Sequence, residues 1–113
     1  MSDKPLIWLG SSKDDLFDFS PEARRKAGFQ LRAVQRGNPP ADFKPMALVG
    51  PGVEEIRIRA DGAYRIFYIA RFEEAVYVLH CFQKKTQATP SQDLELGQSC
   101  YQKLIQLRQI HNE

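Results

Sequence analysis

The sequence predicts an α+β fold, a small twisted antiparallel sheet with N-terminal helices and a C-terminal helix packed on it. Three observations carry this. Glu54 to Pro90, EEIRIRADGAYRIFYIARFEEAVYVLHCFQKKTQATP, reads as three consecutive antiparallel strands broken at two turns. Ser20 to Asn38 repeats apolar residues at helical spacing between a start signal and a stop signal. Thr89 opens a last amphipathic stretch that runs toward the end of the chain. The expectation is helices against one face of the sheet and a concave basic surface on the other.

With 113 residues, the chain is expected to be one domain (1–113) around one small core. Its formal charge of +2 says little, but the distribution says more. Between Ile56 and Thr86 stand Arg57, Arg59, Arg65, Arg71, Lys84 and Lys85, while the acids Asp61, Glu73 and Glu74 sit at the turns. A local positive field attracts a polyanion without a large net charge. Cys81 and Cys100 form no disulfide framework and read as small buried thiols. No metal-ligand spacing is present, since only His80 and His111 join them. The run Leu6-Ile7-Trp8-Leu9 is too short for a signal peptide or a membrane span, so a cytoplasmic protein without membrane contact is expected.

In chain order, Leu6 to Leu9 is β-prone and adds an edge or returning strand. Ser11 or Ser12 caps a short helical turn through Phe17. Ser20-Pro21-Glu22 is a helix start: Ser20 accepts from free backbone N–H groups, Pro21 has none to waste, and Glu22 suits the positive dipole end. Ala23, Ala27, Leu31 and Val34 form its apolar stripe, and Gly37-Asn38-Pro39-Pro40 ends it. The opposite face carries Arg24, Arg25, Lys26, Arg32 and Arg36, either a solvated face or a contact for nucleic acid or a partner. Ala41 to Gly52 is loop-like, with Phe43, Met46 and Leu48 expected to anchor it on the core.

The first meander strand places Ile56 and Ile58 on one face and Glu55, Arg57 and Arg59 on the other. The next, from Ala63, places Tyr64, Ile66 and Tyr68 against Arg65, Phe67 and Ile69. A three-residue loop, Ala60-Asp61-Gly62 with Gly62 left-handed, pairs Arg57 with Arg65 and aligns the apolar residues on one face. Ala75 to Gln83 is apolar on both faces, as an interior strand should be. Thr89 and Gln92 read as a capping box around Pro90. Leu94, Tyr101, Leu104, Ile105 and Arg108, widened by Leu96, Cys100 and Leu107, predict a broad buried face on the last helix.

Each candidate residue also has a structural account. Arg57 and Arg59 fit the wet face of a strand, Lys84-Lys85 a solubility device, and Arg65, among apolar neighbours, either a structural ion pair or a site. His80 reads as a core-edge histidine and His111 as a helix-end residue. Phe82 either stacks on a base or packs under the last helix.

The combination E-I-R-I-R, a Gly turn, Y-R-I-F-Y, a hydrophobic strand and F-Q-K-K-T-x-x-T-P resembles the HigB-type branch of the RelE superfamily of bacterial toxins, above all its phage-derived toxin-like proteins. The resemblance covers Phe43 to the end. It implies the toxin of a type II toxin–antitoxin pair, a ribosome-dependent endoribonuclease that cuts mRNA and inhibits translation. It implies a cognate helix-turn-helix antitoxin, with DNA reached only through that partner, and neither metal nor organic cofactor. By position, Arg65 becomes the phosphate-stabilising arginine, Arg57 a basic partner, and Lys84 and Lys85 the remaining catalytic cations. Arg59, Phe82 and Thr86 become RNA-binding residues. Thr86 stands where a tyrosine or histidine acid would be expected. Arginine matches phosphate oxygens well but is a poor base, whereas a lysine serves as one where neighbouring cations lower its pKa. The alternative is a non-catalytic module that binds RNA, the ribosome or an antitoxin as a regulator.

Overall fold

The computed structural model describes residues 3–111. Along the chain lie β1 (Leu6–Trp8), α1 (Ser12–Phe17), α2 (Pro21–Gln35), β2 (Phe43–Pro45), β3 (Glu54–Arg59), β4 (Ala63–Ile69), β5 (Val76–Lys84) and α3 (Ser91–His111). The strands form one five-stranded sheet in the order β1-β5-β4-β3-β2. It is mostly antiparallel; β1 runs parallel to β5, because the helical crossover of α1 and α2 separates β1 from the meander.

The meander register is the expected one. Ile56 faces Ile66, Arg57 faces Arg65 and Ile58 faces Tyr64. Gly62 is not in the left-handed region, which is occupied among the described residues by Gly10, Gly37 and Gly52. Its bare Cα instead makes room for the Gln83 side chain, whose Nε2 would stand 2.8 Å from an added Cβ. A β-bulge interrupts β4–β5 between Phe67 and Tyr68, so that His80 pairs with Phe67 while Val78 pairs with Tyr68.

Both faces of the sheet are covered, not one. Residues of α1 and α2, among them Leu16, Ala23, Ala27, Leu31 and Val34, pack on Ile56, Ile66, Tyr68 and Val78. On the opposite face α3 lays Cys100 and Leu104 on Phe67, Ile69 and Leu79, with Met46 and Val49 beside them. The even and odd residues of β4 are both apolar beyond Arg65, and each face therefore recruits its own helix.

Local signals account for the helix starts. Ser20 Oγ accepts from Ala23 N at 3.2 Å, with Pro21 in the first turn. The same hydroxyl donates to Asp61 Oδ1 at 2.6 Å, which ties the start of α2 to the β3–β4 loop. Ser11 precedes α1 without a side-chain cap; its hydroxyl goes to Asp15 Oδ2. Pro90, rather than Thr89, supplies the first helical carbonyl of α3, accepting from Leu94 N at 3.1 Å.

Three further expectations need correction. The loop from Ala41 to Gly52 contains β2, which pairs with Glu54–Ile56 at the sheet edge. Its anchors are Met46 and Val49; Phe43 and Leu48 are exposed. On α3 the buried stripe is narrow, since Leu96, Leu107 and Ile110 face outward. Close approach explains this. A Cβ on Gly97 would stand 2.8 Å from Phe67 Cδ2, so the helix backbone sits directly on the sheet. Arg108 lies over the Phe72 ring at 3.6 Å from its centroid and pairs with Glu74, which fixes the far end of α3. No described helix is long and apolar enough to cross a membrane.

Candidate functional site

Alternation along β3 and β4 turns Glu55, Arg57 and Arg65 to the same sheet face as Phe67, the face on which α3 packs. Arg57 and Arg65 are direct cross-strand partners. Like charges so placed repel, and the sheet needs a compensating anion. Glu55 supplies it. Its Oε1 lies 3.5 Å from Arg57 Nε, 3.6 Å from Arg65 Nε and 3.9 Å from Lys44 Nζ. Lys44 arrives from the β2 edge, where it is the register partner of Glu55.

The burial of this cluster is graded. Glu55 is 1% exposed, Arg65 12% and Arg57 36%. These are charge contacts rather than hydrogen bonds: both Glu55 oxygens, Arg57 Nε and Arg65 Nε are buried without a hydrogen-bond partner. Arg65 also donates from Nη1 to Tyr64 O at 3.0 Å. Burial pulls the Arg65 guanidinium below its ordinary value, Glu55 opposes that shift, and Arg57 adds to it. The cluster thus holds two arginines in fixed orientation with donor capacity unspent, an arrangement suited to an oxyanion with several acceptor atoms.

The other sequence-derived residues fall around this centre. Arg59 is exposed one step along the same face of β3, opposite Ala63, which is in turn opposite Lys84. Lys84 closes β5, half-buried, while Lys85 and Thr86 follow exposed; Thr86 Oγ1 donates to Ala88 O at 2.6 Å. The structure therefore brings Arg57 and Arg65 together and sets Lys84 and Lys85 at the neighbouring margin. Phe82, the partner of Arg65 on β5, is 7% exposed. Its ring meets Phe67 edge-on at 5.3 Å and stacks on His80 at 5.4 Å. It is a packing residue, not an open stacking platform, because Phe67 and His80 lie against its ring.

His80 is buried, with Nε2 2.7 Å from Asp93 Oδ1 and Nδ1 3.9 Å from Asp15 Oδ2. Both ring nitrogens thus face carboxylates from the helices on either side, and His80 joins α1, β5 and α3. Sequence reasoning passed over Glu55 and Lys44. The signal was present for Glu55: once Arg57 is paired with Arg65, a counter-anion is required, and Glu55 stands two residues from Arg57 on the same face.

Residues 14–102 of the chain match the family described as phage derived protein Gp49-like (DUF891). The chain belongs to this Gp49-like family. It is a family of RelE/HigB-like toxins. The match runs from α1 into α3 and takes in Glu55, Arg57, Arg65 and the Lys84-Lys85-Thr86 exit. No curated protein matches the chain. In this Gp49-like chain the arginine pair shares one buried glutamate on the sheet.

Proposed function

We propose that this Gp49-like chain is a HigB-type toxin that cleaves mRNA in the ribosome and is silenced by a helix-turn-helix antitoxin. One observation carries the reading: Arg57 and Arg65 are register partners whose guanidinium groups converge on one buried carboxylate. In the cleavage, the 2′-oxygen of the RNA attacks the adjacent phosphorus, the bond from phosphorus to the 5′-oxygen breaks, and the products are a 2′,3′-cyclic phosphate and a 5′-hydroxyl. Charge builds on the phosphorane oxygens, and planar guanidinium donors neutralise it. Glu55 holds those donors in place so that little reorganisation accompanies the reaction. Lys84 and Lys85, at the margin of the cluster, are the proton-transfer candidates on the protein, with in-line geometry imposed by the ribosome reducing the demand on them. Arg59 and Thr86 extend the contact along the RNA. DNA is reached only through the antitoxin.

The test is induced expression in a bacterial host, wild type beside Arg65→Ala and Lys84→Ala, with growth and mapped mRNA 5′ ends followed together. Growth arrest with breaks spaced as the ribosomal A site requires, lost in both soluble variants, is the expected result. Variants that remain fully toxic at equal expression overturn the assignment. Arrest with intact mRNA identifies a binding module instead.

A further inference from the structure

We infer that the outer face of α2 is a second RNA-contact surface, on which a base of single-stranded RNA stacks beside Phe29 while its phosphates lie on the surrounding cations. This rests on the RNA reading of the strand cluster and adds a separate site to it. Phe29 is 75% exposed in the middle of a helix whose inner stripe is fully buried. Its helical neighbours are Arg25, Lys26, Arg32 and Arg36, at the three-, four- and seven-residue spacings that share a face. Arg25 has no ion-pair or hydrogen-bond partner among the described residues. Lys26 meets Glu22 at 3.4 Å, and Arg32 and Arg36 share Asp3 at 3.5 and 3.8 Å. The cations outnumber their acids, and every one of these pairs is solvent-facing and therefore weak.

The second observation is the space beside the ring. β2 pairs only with Glu54–Ile56 and Asp42 O accepts from Arg57 N at 2.9 Å, so the edge of β3 at Ile58 and Arg59 carries no strand. A cleft of about 280 Å³ opens there, with Phe29, Ala41 and Ile58 as its apolar lining and Lys26, Arg57 and Arg59 around it. Lys26 Nζ donates to Arg59 O at 2.7 Å and so joins α2 to that edge. An aromatic ring over a small apolar cleft with a cationic rim matches single-stranded nucleic acid, whose bases stack and whose phosphates follow the charges. A helix that lay in a membrane would expose a row of apolar residues, whereas α2 exposes one large one. Arg57 belongs both to this cleft and to the Glu55 cluster, so one RNA strand can pass from α2 around the edge of β3 to the arginine pair.

The test is fluorescence anisotropy with a fluorescein-labelled, mixed-sequence 2′-O-methyl RNA of about twelve nucleotides, which binds but cannot be cut and spans one such site. Phe29→Ala is expected to weaken binding about tenfold, and Phe29→Trp to restore it. An Arg25→Ala/Arg32→Ala double variant should lower the slope of log Kd against log salt by about 1.4. Lys103→Ala, on the exposed side of α3, serves as the control and should bind as wild type. Wild-type binding by Phe29→Ala, or no binding of this RNA by the wild-type chain, overturns the inference. Because the probe is uncleavable, the result is independent of mRNA cleavage: loss of binding in Phe29→Ala stands even where induced cells show intact mRNA.

Discussion

Glu55 Oε1 stands 3.6 Å from Arg65 Nε across the β3–β4 pair, and both groups are almost wholly removed from solvent. Removing one member leaves the other as a buried charge without its counterion. Glu55→Ala is therefore expected to lower stability by about 3 kcal/mol. A Glu55→Met/Arg65→Met double variant fills the same space with apolar side chains and should return to within about 1 kcal/mol of wild type. It should also be non-toxic. Urea unfolding of the three proteins, beside the growth assay, separates the stabilising and functional parts of the pair.

Asp61 links the start of α2 to β4 and sets a pH dependence. Hydrogen bonds from Ser20, then Tyr64, hold its carboxyl below the ordinary value of 3.8. A depressed folded pKa contributes stability that is present above the unfolded value and is lost as pH falls through the folded one. The thermal midpoint of wild type should thus exceed that of Asp61→Asn at pH 6, with the difference closing below pH 3.8. A difference that stays constant down to pH 2 counts against this account.

Two helix glycines predict opposite signs. Gly28 lies on the exposed side of α2, and a Cβ there meets nothing within 4 Å. Gly28→Ala should raise stability by about 0.5–1 kcal/mol, through helix propensity. Gly97 would place its Cβ 2.8 Å from Phe67 Cδ2 and 3.2 Å from Val49 Cγ1. Both contacts belong to packed core residues, and Gly97→Ala should lower stability by about 1–3 kcal/mol despite the same gain in propensity. Chemical denaturation of the two variants gives the comparison directly.

Cys81 and Cys100 are both buried and free. Burial pushes both thiols above their ordinary value, Cys81 the further. At pH 7 the native protein should react with a thiol reagent far more slowly than after unfolding in guanidinium, and Cys100 should react before Cys81. Mass spectrometry of the labelled peptides resolves the order.

By itself, the sequence determined the elements whose cause is local. The stripe of Ala23, Ala27, Leu31 and Val34, the cap at Ser20 and the Arg57–Arg65 register all follow from spacing along the chain and from the requirement that one strand face be apolar. The tertiary structure alone decided what covers each face. Alternation assigns Glu55 and Arg65 to the same side as Phe67 without saying how far either is withdrawn from solvent. Burial in the folded protein turns that polar strand face into an ion cluster, with Glu55 1% and Arg65 12% exposed. Tertiary packing likewise decided between the two readings of Phe82, which is 7% exposed, and left Phe29 on the outer side of α2 75% exposed.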